Sequence, residues 1–156
     1  MKKILLLLLL LTSTYSYARQ NEEEEKKQIL QKLNSFFKVL ENRDTAIYNT
    51  LVFANAQIWT VRNQNDTLKN SMRSFADDMK KLIAMNTVIQ EHPLSFDIKI
   101  HNDIAIAWVP YTLSLSGKYS HCGVDVFTLI KTNEGWKIVN ATYSVELDGC
   151  ASLMKK

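Results

Sequence analysis

Apolar residues recur along the chain with different periods, and each period predicts a different kind of element. Ile4 and the unbroken Leu5–Leu11 run have no period at all. From Ile29 the apolar positions (Leu30, Leu33, Phe36, Phe37, Leu40) fall at helical spacing and predict one buried face on a helix over Glu22–Glu41. Asn21 with Glu24 forms a capping box, and Glu22–Glu25 put negative charge where a helix dipole favours it. That acidic run therefore reads as a helix start rather than a metal site.

Asn42-Arg43-Asp44 predicts a turn with Asp44 as the next N-cap, and Ile47, Tyr48 and Leu51 mark a short second helix. Gln57–Arg62 is rich in β-formers and ends at Asn63–Asp66. A third helix is expected to carry Leu68, Met72, Phe75, Met79, Leu82 and Ile83 on one side, with Lys69, Arg73, Asp77 and Lys80 on the other. Its methionines sit at core spacing and need no cofactor. After Met85 the period changes to two. Val88–Glu91 reads as a short strand broken at His92-Pro93. Three hairpins follow: Leu94–His101 into Ile104–Leu115, then Tyr119–Lys131, then Trp136–Leu147.

Pairing across those turns sorts the side chains onto two faces. His101 opposite Ile104 makes Leu94, Phe96, Ile98 and Ile100 the core face, continued by Ala105, Ala107, Val109, Tyr111 and Leu113. Leu115 opposite Tyr119 carries that face onto His121, Gly123, Asp125, Phe127 and Leu129. Lys131 opposite Trp136 adds Ile138, Asn140, Thr142, Ser144 and Glu146. One end of this face is apolar. The other sets His121 against Glu146 and Asp125 against Thr142, beside Tyr111 and small residues. Two readings of the polar end stand side by side. It is a pocket, because unpaired buried polar groups need a partner, water or a ligand; or the two pairs satisfy each other and close the mouth. The opposite face holds Trp108, Val124, Val126, Tyr143 and Val145. An exposed apolar patch of that size implies a partner, most economically a second copy of the chain.

Composition and charge narrow the classes. Met1-Lys2-Lys3, the eight-residue apolar run and Ser16-Tyr17-Ala18 read as a secretory signal over residues 1–18. The run is short of the ~20 residues that span a bilayer, so a membrane anchor fits poorly. Cleavage after Ala18 leaves residues 19–156, enough for one domain and too few for two. Removing Lys2 and Lys3 lowers the net charge from +3 to +1, which leaves no compositional case for nucleic acid or, after cleavage, for a membrane. The expected location is outside the cytoplasm, in a bacterial periplasm or secreted. There Cys122 and Cys150 either form a disulfide, worth on the order of 3 kcal/mol, or remain separate thiols. His92, His101 and His121 lack metal-ligand spacing, and no phosphate loop, G-x-S-x-G or C-x-x-C occurs, so neither metal nor cofactor is expected.

The C-terminal segments Ala107–Thr112, Ser120–Phe127, Gly135–Ile138 and Gly149-Cys150 are similar to exported bacterial members of the nuclear transport factor two-like (SnoaL-like) superfamily. The resemblance implies a cystatin-like α+β cone, a curved antiparallel sheet wrapped around three N-terminal helices, with a helix-lidded cavity and often a dimer through the outer sheet face. Its members include isomerases, ligand binders and interaction modules, so fold alone does not choose. The first expectation is a small-molecule site lined by Tyr48, Trp59, Tyr111, His121, Asp125, Thr142 and Glu146. A second is an isomerase, dehydratase or cyclase in which His121 paired with Glu146 moves protons and Asp125 or Tyr111 stabilises charge. A third is a dimerising module without chemistry.

Overall fold

A computed structural model describes residues 2–64 and 66–153, with side chains described from Glu22 onward. The elements are α1 (Lys2–Asn42), α2 (Thr45–Leu51), β1 (Val52–Gln64), β2 (Thr67–Ser74), α3 (Phe75–Ala84), β3 (Ile89–Pro93), β4 (Asp97–His101), β5 (Ile104–Leu115), β6 (Lys118–Thr132), β7 (Gly135–Val145) and a 3-10 turn at Cys150–Ser152. Among the described residues no helix is long and apolar enough to cross a membrane. The side chains of the expected signal, residues 1–18, lie outside the described ones. Helix α1 is continuous from Lys2, so Asn21 and Glu22–Glu25 lie within it and do not form its start.

Ile29, Leu33, Phe36 and Phe37 of α1 are buried, as their spacing requires. Phe36 and Phe37 meet Phe127 of β6 edge-on, with ring centroids 5.5 and 5.9 Å apart. Farther up the helix, Glu25 accepts hydrogen bonds from Trp136 Nε1 (2.6 Å) and Lys131 Nζ (2.5 Å), pinning α1 to the β6–β7 hairpin. The Lys131 ammonium, then the indole donor, holds Glu25 below the ordinary carboxylate range against the opposing effect of burial. Arg43 leaves α1 with φ +60° and donates to Met85 O (2.6 Å) and Thr87 O (2.8 Å), clamping the α3–β3 connection. Asp44 caps α2 through Ile47 N at 3.0 Å.

Residues 67–74 differ from expectation. Leu68 and Met72 lie on strand β2, at 66% and 50% exposure, and helix α3 begins only at Phe75. Their i, i+4 spacing imitates a helix. After Gln64 the chain instead folds back on β1, where Thr67–Ser74 pairs antiparallel with Gln57–Gln64. Ser74 then caps α3 by accepting from Asp77 N at 3.0 Å.

The sheet runs β2-β1-β7-β6-β5-β3, with β4 also on β5. β1 and β7 pair in parallel, so the sheet is mixed rather than antiparallel throughout. β3 and β4 occupy successive stretches of the same edge of β5, and the link between them bends at Leu94, whose N–H donates to Pro110 O (2.8 Å). The first hairpin has the expected register, Asp97 opposite Trp108 and His101 opposite Ile104. On β5/β6 an irregularity at Leu113/Ser114 sets Leu115 against Lys118 but leaves Leu113 opposite His121, which preserves the inner face.

The β6/β7 register is different. Lys131 opposes Trp136 as expected, but an irregularity between Thr128 and Leu129 shifts everything beyond it by one residue. Asp125 then opposes Tyr143, and Glu146 bridges to Cys122 rather than meeting His121. A one-residue slip exchanges the faces of a strand. Tyr143 and Val145, expected on the outer face, turn inward, and Thr142 and Glu146 turn out. Of the expected partner surface, Trp108 remains half exposed at 49%, with Val124 and Val126 partly covered. Cys122 and Cys150 are joined in a disulfide, their Cα atoms 5.9 Å apart. Gly149, at φ +83°, makes the turn that brings Cys150 back.

Candidate functional site

Alternation along the strands sends every second side chain to the concave side of the sheet, where α1 and α3 roof a cavity of about 960 Å³. Phe36, Leu40 and Leu82 form its apolar roof, and Ile58, Phe127 and Ala141 its apolar floor. The polar groups gather along the other walls. Of the residues expected to bind a ligand, Tyr111, His121 and Asp125 line this cavity. Tyr48 is not part of the lining; it is buried and donates its hydroxyl to Phe75 O at 2.6 Å. Trp59 is 41% exposed and pairs with Met72 and Thr142 on the convex side. Thr142 bonds Asn140 Oδ1 (3.1 Å), and Glu146 accepts from Ser144 Oγ (3.0 Å). Neither reaches His121.

In place of the expected His121–Glu146 pair, Glu91 and Asp125 meet at the cavity wall. Asp125 on β6 is 5% exposed, and its Oδ2 has no hydrogen-bond donor among the described residues. Glu91, partly buried on the inward side of β3, lines the same cavity close enough for the two carboxyls to act on each other's charge. Burial raises Glu91 from the ordinary 4.5 to about 7, although its contact with Asp125 works in the other direction. Burial also lifts Asp125 well above the carboxylate range, and the Glu91 charge adds to the rise. Two desolvated carboxyls this close do not both ionise readily near neutrality, so the pair tends to keep one proton between them. The site thus presents an O–H donor and a carboxylate acceptor side by side.

Tyr111 closes the wall next to the pair. Its hydroxyl donates to Ser144 O at 2.7 Å, and burial, then the charges of Glu91 and Asp125, hold it protonated. The strands come unusually close here. A Cβ on Gly123, which pairs with Tyr111, would lie 2.2 Å from Ser144 O. Ser144 Oγ also accepts from Val124 N at 3.0 Å. His121 stands edge-on to Tyr111, with centroids 5.9 Å apart, and contacts Ser120 Oγ through Nδ1 at 3.0 Å. Burial, then the Arg62 charge, lowers its pKa below 6.5, so it is neutral at pH 7.

Arg73 on β2 carries the opposite wall. It donates from Nε to Asp78 of α3, from Nη1 to Thr60 Oγ1 (2.8 Å) and from Nη2 to Tyr143 Oη (3.0 Å), with its guanidinium 5.5 Å from the Tyr143 ring centroid. These bonds tie β1, β2, α3 and β7 together. Among the described residues no three His, Cys, Asp or Glu side chains gather as metal ligands would.

Glu91, Arg73 and Tyr143 are among the wall residues that sequence reasoning missed. Glu91 had a visible signal, since it shares an inward period-two face with Ile89 and Pro93. Arg73 was hidden by the helical reading of β2, and Tyr143 by the slip on β7.

No curated protein matches the chain in sequence. Solved structures with the same fold include a nuclear transport factor two-like protein from Cytophaga hutchinsonii (10% identity, TM-score 0.64, covering 77% of this chain and 97% of that one). A superfamily protein from Salmonella enterica serovar Typhimurium is similar over 81% of this chain and 94% of its own, at 14% identity and TM-score 0.63. A structure described as a "putative ketosteroid isomerase" from Shewanella frigidimarina shares 23% identity over 73% of this chain and 92% of its own, with TM-score 0.54. A family profile described as "Putative lumazine-binding" matches residues 24–144, which is most of the chain. The cone, its helical roof and this match agree: the chain belongs to that lumazine-binding-like family within the nuclear transport factor two-like superfamily.

Proposed function

We propose that the protein binds a small planar heterocycle in the cone cavity and reads its edge with Glu91 and Asp125. The observation that carries this is the buried, unpartnered Asp125 Oδ2, which shares with Glu91 the wall of a cavity of about 960 Å³. A buried polar atom without a partner costs about 1–3 kcal/mol, which a ligand group would relieve. A lactam or imide edge sets C=O beside N–H, the complement of one carboxylic acid beside one carboxylate. Lumazine carries such edges, and the family description supports that class. The apolar roof and floor suit the faces of a flat ring.

Proton transfer is a second reading, favoured by Glu91 being held near 7, where a general base works best at neutral pH. The Shewanella protein described as a "putative ketosteroid isomerase" has the same fold, as does a Streptomyces avermitilis protein described as a "putative dehydratase". We also propose that the protein works outside the cytoplasm, a reading supported by the Cys122–Cys150 disulfide.

Calorimetric titration of the mature protein with lumazine tests the first reading. Wild type should bind, and Asp125→Asn and Glu91→Gln should each weaken binding by about tenfold or more, since each leaves a ligand group unmatched. No binding by wild type, or equal binding by all three, would refute the edge-reading role. Turnover of a β,γ-unsaturated ketone that disappears in Glu91→Gln while binding persists would move the assignment to the enzyme.

A further inference from the structure

The carboxyl pair leaves part of the cavity wall without a task. Arg62 of β1 and Lys69 of β2 are direct cross-strand partners, and both line the cavity. Lys81 lines it from α3. Like charges directly opposite on an antiparallel pair are destabilising. Arg62 and Lys69 are exposed and, among the described residues, take part in no ion pair, while Lys81 acts on Asp77 of its own helix. Lys69 Nζ reaches only the neutral Gln64 Oε1, at 3.1 Å.

The acids of the cavity do not balance them. Asp78 is taken by Arg73, and Glu91 and Asp125 keep a proton between them. His121 lies within reach of the Arg62 charge and stays neutral. Arg62, Lys69 and His121 come from the same end of the sheet, near the β1–β2 and β5–β6 turns, so the excess positive charge sits at one end of the cavity.

We propose that this end is an anion subsite, and that the ligand is an organic acid whose flat body fills the cavity while one negative group sits between Arg62 and Lys69. The proposal rests on the reading of the cavity as a ligand site and adds a class of ligand. Both cations are exposed at the mouth, and a carboxylate, sulfonate or phosphate seated between them would neutralise both. His121 next to them supplies a neutral ring nitrogen, and Lys81 a further charge from the roof.

A matched pair of dyes tests this without knowledge of the natural ligand. The sulfonate 8-anilinonaphthalene-1-sulfonate and the neutral N-phenyl-1-naphthylamine share one ring skeleton and both fluoresce in apolar cavities. The mature protein should bind the sulfonate about tenfold tighter than the neutral dye at low ionic strength, and the preference should shrink as salt rises. In R62Q/K69Q the two affinities should converge while the neutral dye binds as in wild type, which also shows that the variant is folded. Should the double variant fail to fold, the single R62Q and K69Q variants and the salt dependence of wild type give the same reading. Equal affinities in wild type, a preference that survives in the variants, or failure of both dyes to bind would each overturn the anion subsite. Lumazine binding and its loss in Asp125→Asn are read separately, so the edge-reading role and the anion subsite can fail independently.

Discussion

Glu91 should make the folded protein less stable as the pH rises, and Glu91→Gln should remove that effect. In the folded chain the carboxyl titrates near 7, against 4.5 ordinarily, because burial penalises its charged form. Between those values the folded state binds more protons than the unfolded one, so stability falls as the pH rises through the window. A gap of about 2.5 pH units at ~1.4 kcal/mol each sets a ceiling of about 3.5 kcal/mol. Asp125, raised for the same reason and by its neighbour, acts with the same sign. His121 acts with the opposite sign, since a lowered imidazole gains stability as the pH rises through 6.5. Both proteins contain it, so the difference between them isolates the carboxyl pair. Urea unfolding of oxidised wild type and Glu91→Gln at pH 5, 6, 7 and 8 is the assay. Near pH 5 the two should be similar, and by pH 8 the variant should lead by up to about 3.5 kcal/mol. A difference that stays flat from pH 5 to 8 would show that the pair is not desolvated.

Two further outcomes follow from the packing. Gly123→Ala would drive a Cβ into Ser144 O at 2.2 Å, where the Cβ has no rotamer to escape by and the oxygen is main chain; it should cost about 1–3 kcal/mol or more in urea unfolding. Cys150→Ser opens a loop closed across a sequence separation of 28 and should lower stability by about 3–4 kcal/mol, a loss that dithiothreitol should reproduce in wild type but not in the variant.

The cone could be read from the chain because its elements follow the two simplest periods. Ile29, Leu33, Phe36 and Phe37 repeat at helical spacing, and Ala105, Ala107 and Val109 alternate, so α1 and β5 came out with the right faces. The site was harder, because its walls depend on irregularities that leave no mark on the period. One extra residue near Val139 decides whether Thr142 and Glu146 or Tyr143 and Val145 face inward. Apolar content argued for the second set, since Ala141, Tyr143 and Val145 suit a core better than Asn140, Thr142 and Ser144. The parallel pairing of β1 with β7 is a long-range contact that no local pattern encodes. Without it, neither Arg73 against Tyr143 nor β2 as a cavity wall could be foreseen.

That parallel seam also sets the order in which the protein can assemble. β1 and β2 can pair as soon as both exist, and β4 to β7 form a run of neighbouring hairpins, but Ile58 must wait for Ala141. The two halves of the cavity are thus made apart, and Arg73 Nη2 to Tyr143 Oη is a bond across their junction. Contacts of such separation form late and slowly. A ligand resting on both halves would act as a clasp over the last step of folding, and its binding would report that the whole chain had arrived.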